Sequence, residues 1–141
     1  MRFKFLFTTA CFFCLASSAS AGSIQVTIEG ALPAKGGLII NLFDEASYLD
    51  TPVMNTYISI PENGTAITML EDVPTGTYAL AVIHDKNGNK KMDTNFLGIP
   101  KEKGGFSNNA PAKFGPAKFD KAAFEVGESA VIQTIVLRKA K

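Results

Sequence analysis

Oxygen-bearing side chains recur at regular intervals in the stretch HDKNGNKKMDTNF, residues 84–96. Calcium prefers oxygen ligands, which a loop of the EF-hand kind supplies from side chains at positions 1, 3 and 5. Such a loop adds a backbone carbonyl from position 7 and, often through water, a side chain from position 9. Counted from Asp85, every side-chain position holds Asp or Asn. The spacing predicts a calcium site formed by Asp85, Asn87, Asn89, the backbone carbonyl of Lys91, and Asp93.

The stretch departs from a helix-linked calcium loop in several respects. Position 6 holds Lys90 in place of glycine, and position 12 holds Phe96 in place of a bidentate glutamate. Lysines within the stretch offset its two carboxylates; they are Lys86, Lys90 and Lys91. We therefore expect a weak site, with a dissociation constant of about 10⁻⁴–10⁻³ M, the range typical of extracellular modules.

A turn without any cation accounts for the same residues. Asn87-Gly88 is the preferred pair of a type I′ hairpin turn, which would join the preceding strand to a following one. Side chains of Asp85 and Asn89 would then accept hydrogen bonds from local backbone amides. The sequence leaves both interpretations open: the side chains close around a cation or around their own backbone.

Alternation of apolar and polar residues is the dominant pattern of the chain, and it predicts strands with one buried face. Ile24, Val26 and Ile28, for example, alternate with polar residues. Strands are predicted at residues 23–30, 36–44, 54–60, 65–73, 76–84 and 130–139. The last run is apolar on both faces at its centre, which predicts a central position in a sheet. Residues 45–50 and 120–124 can each form about one helical turn.

Residues 94–119 form the longest segment without a strand pattern, and loops longer than about 12–15 residues are usually functional or disordered. Its widely spaced phenylalanines predict an ordered loop pinned to the body of the domain: Phe96, Phe106, Phe114 and Phe119. The stretch GFSNNAPAKFGP, residues 105–116, has the composition of a sugar- or peptide-binding loop. We favour a different role, in which Asn108 and Asn109 satisfy the loop's own backbone.

His84 is the single histidine, which disfavours a zinc or copper site built on several imidazoles. A hydrolase would combine it with Asp85 or Asp93 and a serine such as Ser107. However, the chain contains no G-x-S-x-G motif. We therefore predict a non-enzymatic binding or structural module of the cell envelope, and the alternative is a small secreted hydrolase with a site near His84 and loop 94–119.

Residues 1–21 have the features of a secretory signal peptide. A cationic start, MRFK, precedes the apolar run FLFTTACFFCLA, and Ala19-Ser20-Ala21 forms a small-residue cleavage site. Both cysteines, Cys11 and Cys14, lie within this segment. The exported chain therefore has no thiol for a disulfide or a zinc site. We predict export, to the periplasm or the medium.

Removing 21 of the 141 residues leaves 120, which suits a single domain at residues 22–141. This part of the chain has 12 Lys or Arg against 13 Asp or Glu, a formal charge of −1. Such a balance lacks the basic field that nucleic acids and anionic membranes attract. No other apolar run is close to the length of a membrane span, which is about 20 residues. The expected partner is an envelope protein or a glycan.

Two patterns resemble known families. EDVPTGTYALAVIHD, residues 71–85, resembles the strand entry of prealbumin-like, or transthyretin-like, modules. PTGTYALAVIHDKNGNKKMDTNFLGIPKE, followed by GFSNNA, FGP and FDKAAF, resembles an exported bacterial family known as domain of unknown function 2141. That resemblance implies an envelope or secreted β-sandwich without an established activity. With the strand spacing, it predicts an all-β fold: an antiparallel Greek-key β-sandwich, transthyretin- or immunoglobulin-like, with one long ordered loop.

Overall fold

The computed structural model describes residues 20–140, and its regular elements are nearly all strands. They are β1 (Ala21–Glu29), β2 (Gly37–Phe43), β3 (Met54–Ser59), β4 (Ala66–Pro74), β5 (Gly76–Asp85), β6 (Lys103–Phe106), β7 (Phe124–Val126), β8 (Val131–Val136) and β9 (Arg138–Lys139). A 3₁₀ turn spans Ser107–Asn109, and the one-turn helix α1 spans Phe119–Ala122. The predicted signal peptide, with Cys11 and Cys14, lies outside the described residues except at Ser20 and Ala21.

Two sheets pack face to face and form an all-β sandwich, which confirms the predicted fold class. One sheet has the strand order β4-β1-β8, and the other has the order β3-β2-β5-β6-β9, with β7 paired to the start of β5. The strand pairs are antiparallel apart from β1 and β8, which run parallel. Greek-key connectivity stays a prediction. None of the helices between residues 20 and 140 has the length and apolarity of a membrane span.

The core lies between the two sheets, where the predicted alternation places it. Ile24, Val26 and Ile28 of β1 are wholly buried, while the residues between them are partly exposed. The facing sheet contributes Leu38, Ile40, Leu42, Tyr78, Leu80 and Val82. Each fully buried aliphatic side chain of this kind contributes about 1.5–3 kcal/mol of transfer free energy. Alternation in β1, β2 and β5 therefore determines which face of each strand packs inward.

The long segment after β6 covers the outer face of β5. Small residues from both form a second buried cluster: Ala79, Ala110, Ala117 and Ala122. Tyr48 closes it from the loop between β2 and β3, and its hydroxyl donates to the carbonyl of Ala117 at 2.7 Å. Its ring packs edge-on against Phe43 and Phe119, and burial raises the pKa of Tyr48 to about 12. The segment is therefore ordered and packed on β5, as predicted.

The predicted loop 94–119 contains strand β6, which the sequence pattern did not indicate, and the predicted anchors of that loop are correct only in part. Phe106 and Phe119 pack against the second cluster, but Phe96 is 95% exposed and Phe114 is fully exposed. Backbone hydrogen bonds made by polar side chains, rather than these two phenyl rings, hold the segment. The clearest case is Asn109, whose Oδ1 accepts from Val136 N at 2.9 Å and whose Nδ2 donates to Thr134 O at 3.0 Å.

Strand β8 lies at the edge of its sheet, so its predicted central position is wrong. Ile132, on the outer face of β8, is 65% exposed. The amide of Asn109 supplies the hydrogen bonds that a further strand would make to this edge, which protects it from pairing with other chains. Asn108 binds Gln133 and the carbonyl of Ala123. These two asparagines satisfy neighbouring elements more than their own loop, which corrects that prediction.

Gly105 of β6 tests how closely the two sheets pack. A Cβ at this position would lie 2.6 Å from Ile135 Cγ2 and 3.1 Å from Val136 O. Gly105→Ala should therefore lower the free energy of unfolding by about 1–3 kcal/mol, the usual cost of overpacking. Gly127→Ala is the matched control, because a Cβ there meets nothing within 4 Å. Equal midpoints of chemical denaturation for the two variants would contradict this packing.

Candidate functional site

Asp85, the last residue of β5, organises the Asp- and Asn-rich turn that follows it. Its side chain is wholly buried. Its Oδ1 accepts from the backbone amides of Gly88 at 2.8 Å and Asn89 at 3.2 Å, and its Oδ2 accepts from Lys90 N at 2.8 Å. Hydrogen bonds to a carboxylate are among the stronger ones in proteins. One side chain therefore satisfies three successive backbone donors and determines the path of the turn.

Asp85 is buried because the neighbouring strands leave room for the Tyr57 ring. Gly37 of β2 pairs with Asp85 and has no side chain, so the ring of Tyr57 can lie over Gly37. A Cβ on Gly37 would sit 2.3 Å from Tyr57 Cζ. The Lys90 ammonium lies 5.4 Å from the centre of that ring, a cation–π contact. Desolvation, followed by the charge of Asp85, raises the pKa of the Tyr57 hydroxyl.

Three of the other predicted calcium ligands belong to one hydrogen-bonded group. Asn87 Nδ2 donates to Asp93 Oδ2 at 2.7 Å, and Asn89 Nδ2 donates to Asp93 Oδ1 at 3.0 Å. The amide oxygens face the backbone instead: Asn87 Oδ1 accepts from Asn89 N, and Asn89 Oδ1 accepts from Lys91 N. The structure therefore brings the predicted residues together in a turn that closes on its own backbone.

The predicted type I′ turn is wrong. Such a turn needs positive φ at both central residues, but of Asn87 and Gly88 only Gly88 has one, at 73°. The three amides bound by Asp85 require a wider loop, in which Lys90 is also left-handed at φ 59°. Lys90 occupies loop position 6, where an EF-hand uses glycine for its sharp turn. The backbone therefore turns sharply at that position without glycine.

Glu102 also holds this turn, although the sequence did not single it out. It is 5% exposed, and its two oxygens accept from Lys86 N at 2.9 Å and from Asp93 N at 3.3 Å. These amides lie at the start and near the end of the turn, so one carboxylate clamps both. Local pattern does not mark Glu102, because lysines flank it and its partners are distant in sequence.

His84 and Ser107, which the alternative hydrolase hypothesis invokes, are both wholly buried. His84 faces the core side of β5, and its Nε2 donates to the carbonyl of Lys35 at 2.9 Å. Its Nδ1 is buried without a hydrogen-bond partner within residues 20–140. Ser107 Oγ donates to Ala122 O and accepts from Leu80 N. Asp85 lies on the opposite face of β5 from His84, so these groups do not form a triad.

A model of one protein family matches residues 26–134, and its description is an uncharacterized protein conserved in bacteria, DUF2141. The chain belongs to the DUF2141 family. The match includes most of both sheets, the turn that follows Asp85 and the long segment packed on β5, so the resemblance seen in the sequence is confirmed. No curated protein and no solved structure is significantly similar to the chain. Across the described part of this DUF2141 chain, no three His, Cys, Asp or Glu side chains are grouped to hold a metal.

Replacing Asp85 tests its role in the turn. Asp85→Ala leaves the amides of Gly88 and Lys90 without an acceptor, and it leaves Asn89 N with Asn87 Oδ1 alone. The free energy of unfolding should therefore fall by about 2–4 kcal/mol. Asp85→Asn keeps one acceptor oxygen and should lose less. The control is Asp50→Ala, an exposed carboxylate, with an expected change below about 0.5 kcal/mol. Urea denaturation measures all three, and a loss at Asp85→Ala no larger than the control would contradict the assignment.

Proposed function

We propose that this protein is a non-enzymatic binding module of the cell envelope, exported to the periplasm or the medium, whose turn 85–93 holds a calcium ion weakly. The observation that carries the calcium part is the convergence of Asn87, Asn89 and Asp93 within hydrogen-bonding distance of one another. The positive φ of Lys90 supports it further, because the backbone at position 6 turns as a calcium loop requires.

Calcium would bind this turn after two side-chain amides rotate. Rotation of Asn87 and Asn89 exchanges Nδ2 for Oδ1 and presents two amide oxygens toward the Asp93 carboxylate. The carbonyl of Lys91 and the carboxylate of Asp85 are the remaining proposed ligands, and water would complete the shell. Asp85 can ligate while it keeps amide hydrogen bonds, because each carboxylate oxygen has more than one lone pair.

Weak affinity follows from what the ion must displace. Rotating the two amides breaks their hydrogen bonds to Asp93 and those that their oxygens accept from Asn89 N and Lys91 N. Lys86, Lys90 and Lys91 also repel a cation. A dissociation constant of about 10⁻⁴–10⁻³ M matches these costs and matches extracellular calcium concentrations better than cytosolic ones.

The non-enzymatic part of the proposal is supported by the positions of the polar residues with catalytic potential. His84 and Ser107 are buried, and each is bonded to a backbone carbonyl in the fold. A hydrolase needs a nucleophile and a base within reach of each other and of a substrate. We propose instead that the module binds its partner, an envelope protein or a glycan, through exposed loops at the end of the sandwich near the turn.

Thermal unfolding with and without calcium tests this proposal. With calcium at about ten times its dissociation constant, the stability gain is about 1.4 kcal/mol, or a rise of about 4–6 °C in Tm. Asp93→Asn should remove the rise, because it deletes the carboxylate on which both amides converge. Asp50→Asn should retain it. Magnesium should have a much smaller effect, since it demands a stricter geometry. A wild-type Tm that is indifferent to millimolar calcium would overturn the calcium assignment.

A further inference from the structure

The connection between β5 and β6 carries the most exposed run of apolar side chains near the candidate site. Phe96 is 95% exposed, Leu97 68% and Ile99 40%. We call residues 96–99 the apolar tip. Met92, a few residues earlier in the same connection, is 42% exposed. Single exposed apolar residues are common on protein surfaces, but a contiguous run of large ones marks an interaction site.

Hydrogen bonds hold the apolar tip in one shape. Asn95 Oδ1 accepts from Leu97 N at 2.9 Å and from Ile99 N at 3.0 Å, and Asn95 N donates to Ile99 O at 2.9 Å. Gly98 N donates to Asn95 O at 2.9 Å, and Thr94 forms a β-bridge with Pro100. Three of the four backbone amides of the tip therefore donate to Asn95. Its apolar side chains point outward because of this built geometry.

Basic residues are concentrated at the end of the sandwich that carries the apolar tip. The segment 86–101 contains a single acidic residue, Asp93, whose carboxylate accepts from two asparagine amides. The flanking carboxylates of Asp85 and Glu102 are buried and bonded to backbone amides. Strand β9 adds two further exposed cations where it pairs with the start of β6. The cations are Lys86, Lys90, Lys91, Lys101, Arg138 and Lys139.

The opposite end of the sandwich has the opposite charge. Its loops and short elements contain three lysines and six acidic residues. The acidic residues are Asp44, Glu45, Asp50, Asp120, Glu125 and Glu128. At the end with the tip, Glu29 and Glu62 are offset by Lys35 and Lys103. The formal charge of −1 is therefore the sum over two ends of different sign. From that net charge we expected no basic field, but the end with the tip has a local one. Such a field acts on a partner within about 10 Å at moderate salt.

We propose that the apolar tip inserts into the interface of an anionic phospholipid bilayer while the surrounding lysines contact lipid phosphates. The proposal rests on the proposed function only in that the module binds at the envelope; it requires no calcium. A convex tip fits a bilayer interface, which receives Phe and Leu side chains without a preformed pocket. Lysine stems can lie along the apolar region while their ammonium groups reach the phosphates.

Co-sedimentation with lipid vesicles tests the inference, using the exported protein with its N-terminus established by mass spectrometry and with chelator present. Binding to vesicles of equal parts phosphatidylcholine and phosphatidylglycerol should exceed binding to phosphatidylcholine alone, and salt should weaken it. Phe96→Ser with Leu97→Ser should reduce the partition coefficient by about tenfold or more. The control is Phe114→Ser, an equally exposed phenylalanine outside the tip whose own neighbours include Lys113 and Lys118, and it should bind like wild type.

Charge reversal tests the electrostatic part separately. Lys101→Glu with Lys139→Glu should lower binding to the anionic vesicles by about fivefold or more for each residue. Lys113→Glu with Lys118→Glu, at the acidic end, should leave it unchanged. Absence of binding by a folded wild type would overturn the inference, even if calcium still raises Tm and so leaves the proposed function intact. Concentration-dependent dimers that Phe96→Ser with Leu97→Ser abolishes, without vesicle binding, would likewise overturn it and assign the tip to a second copy.

Discussion

The buried carboxylate of Asp85 is the interaction on which the loop end of this sandwich depends. A buried charge is costly unless hydrogen bonds compensate it, and three successive backbone amides do so here. The cover over it requires Gly37, which leaves space for the Tyr57 ring on the outer face of the sheet. Asp85 therefore couples the end of β5, the neighbouring strands and the path of the following turn in one arrangement.

Glu102 and Asn95 extend the same principle along the connection between β5 and β6. Glu102 clamps the two ends of the turn, and Asn95 holds the tip. Because the polar side chains of Glu102 and Asn95 accept hydrogen bonds from the backbone of this connection, its outward-facing side chains are not needed to hold its shape. Exposed apolar residues at Phe96 and Leu97 are compatible with stability for that reason. A rigid loop with an apolar tip and basic flanks is a surface suited to binding.

Strand positions followed from the sequence because burial on one face imposes a period of two, as in β1 and β5. The Asp and Asn cluster was also evident, since its members lie within one short stretch. Other features depend on distant pairing and were missed. Nothing local marks Glu102, and the edge position of β8 depends on Asn109 replacing a strand. Phe96 and Phe119 look alike in sequence, yet only the tertiary fold gives Phe119 a partner. The separation of basic and acidic residues to opposite ends of the sandwich likewise becomes visible only when the fold shows at which end each loop lies.

Amide hydrogen exchange at Gly88, Asn89 and Lys90 tests the central claim most directly. These residues are exposed, so without Asp85 the amides of Gly88 and Lys90 would exchange at rates close to those of an unstructured chain, while Asn89 N keeps Asn87 Oδ1 as an acceptor. The account predicts clear protection of all three amides in the wild type. It also predicts the loss of that protection at Gly88 and Lys90 in Asp85→Ala while the amides of β1 remain protected. Rapid exchange of the three amides in the folded wild type would contradict the account.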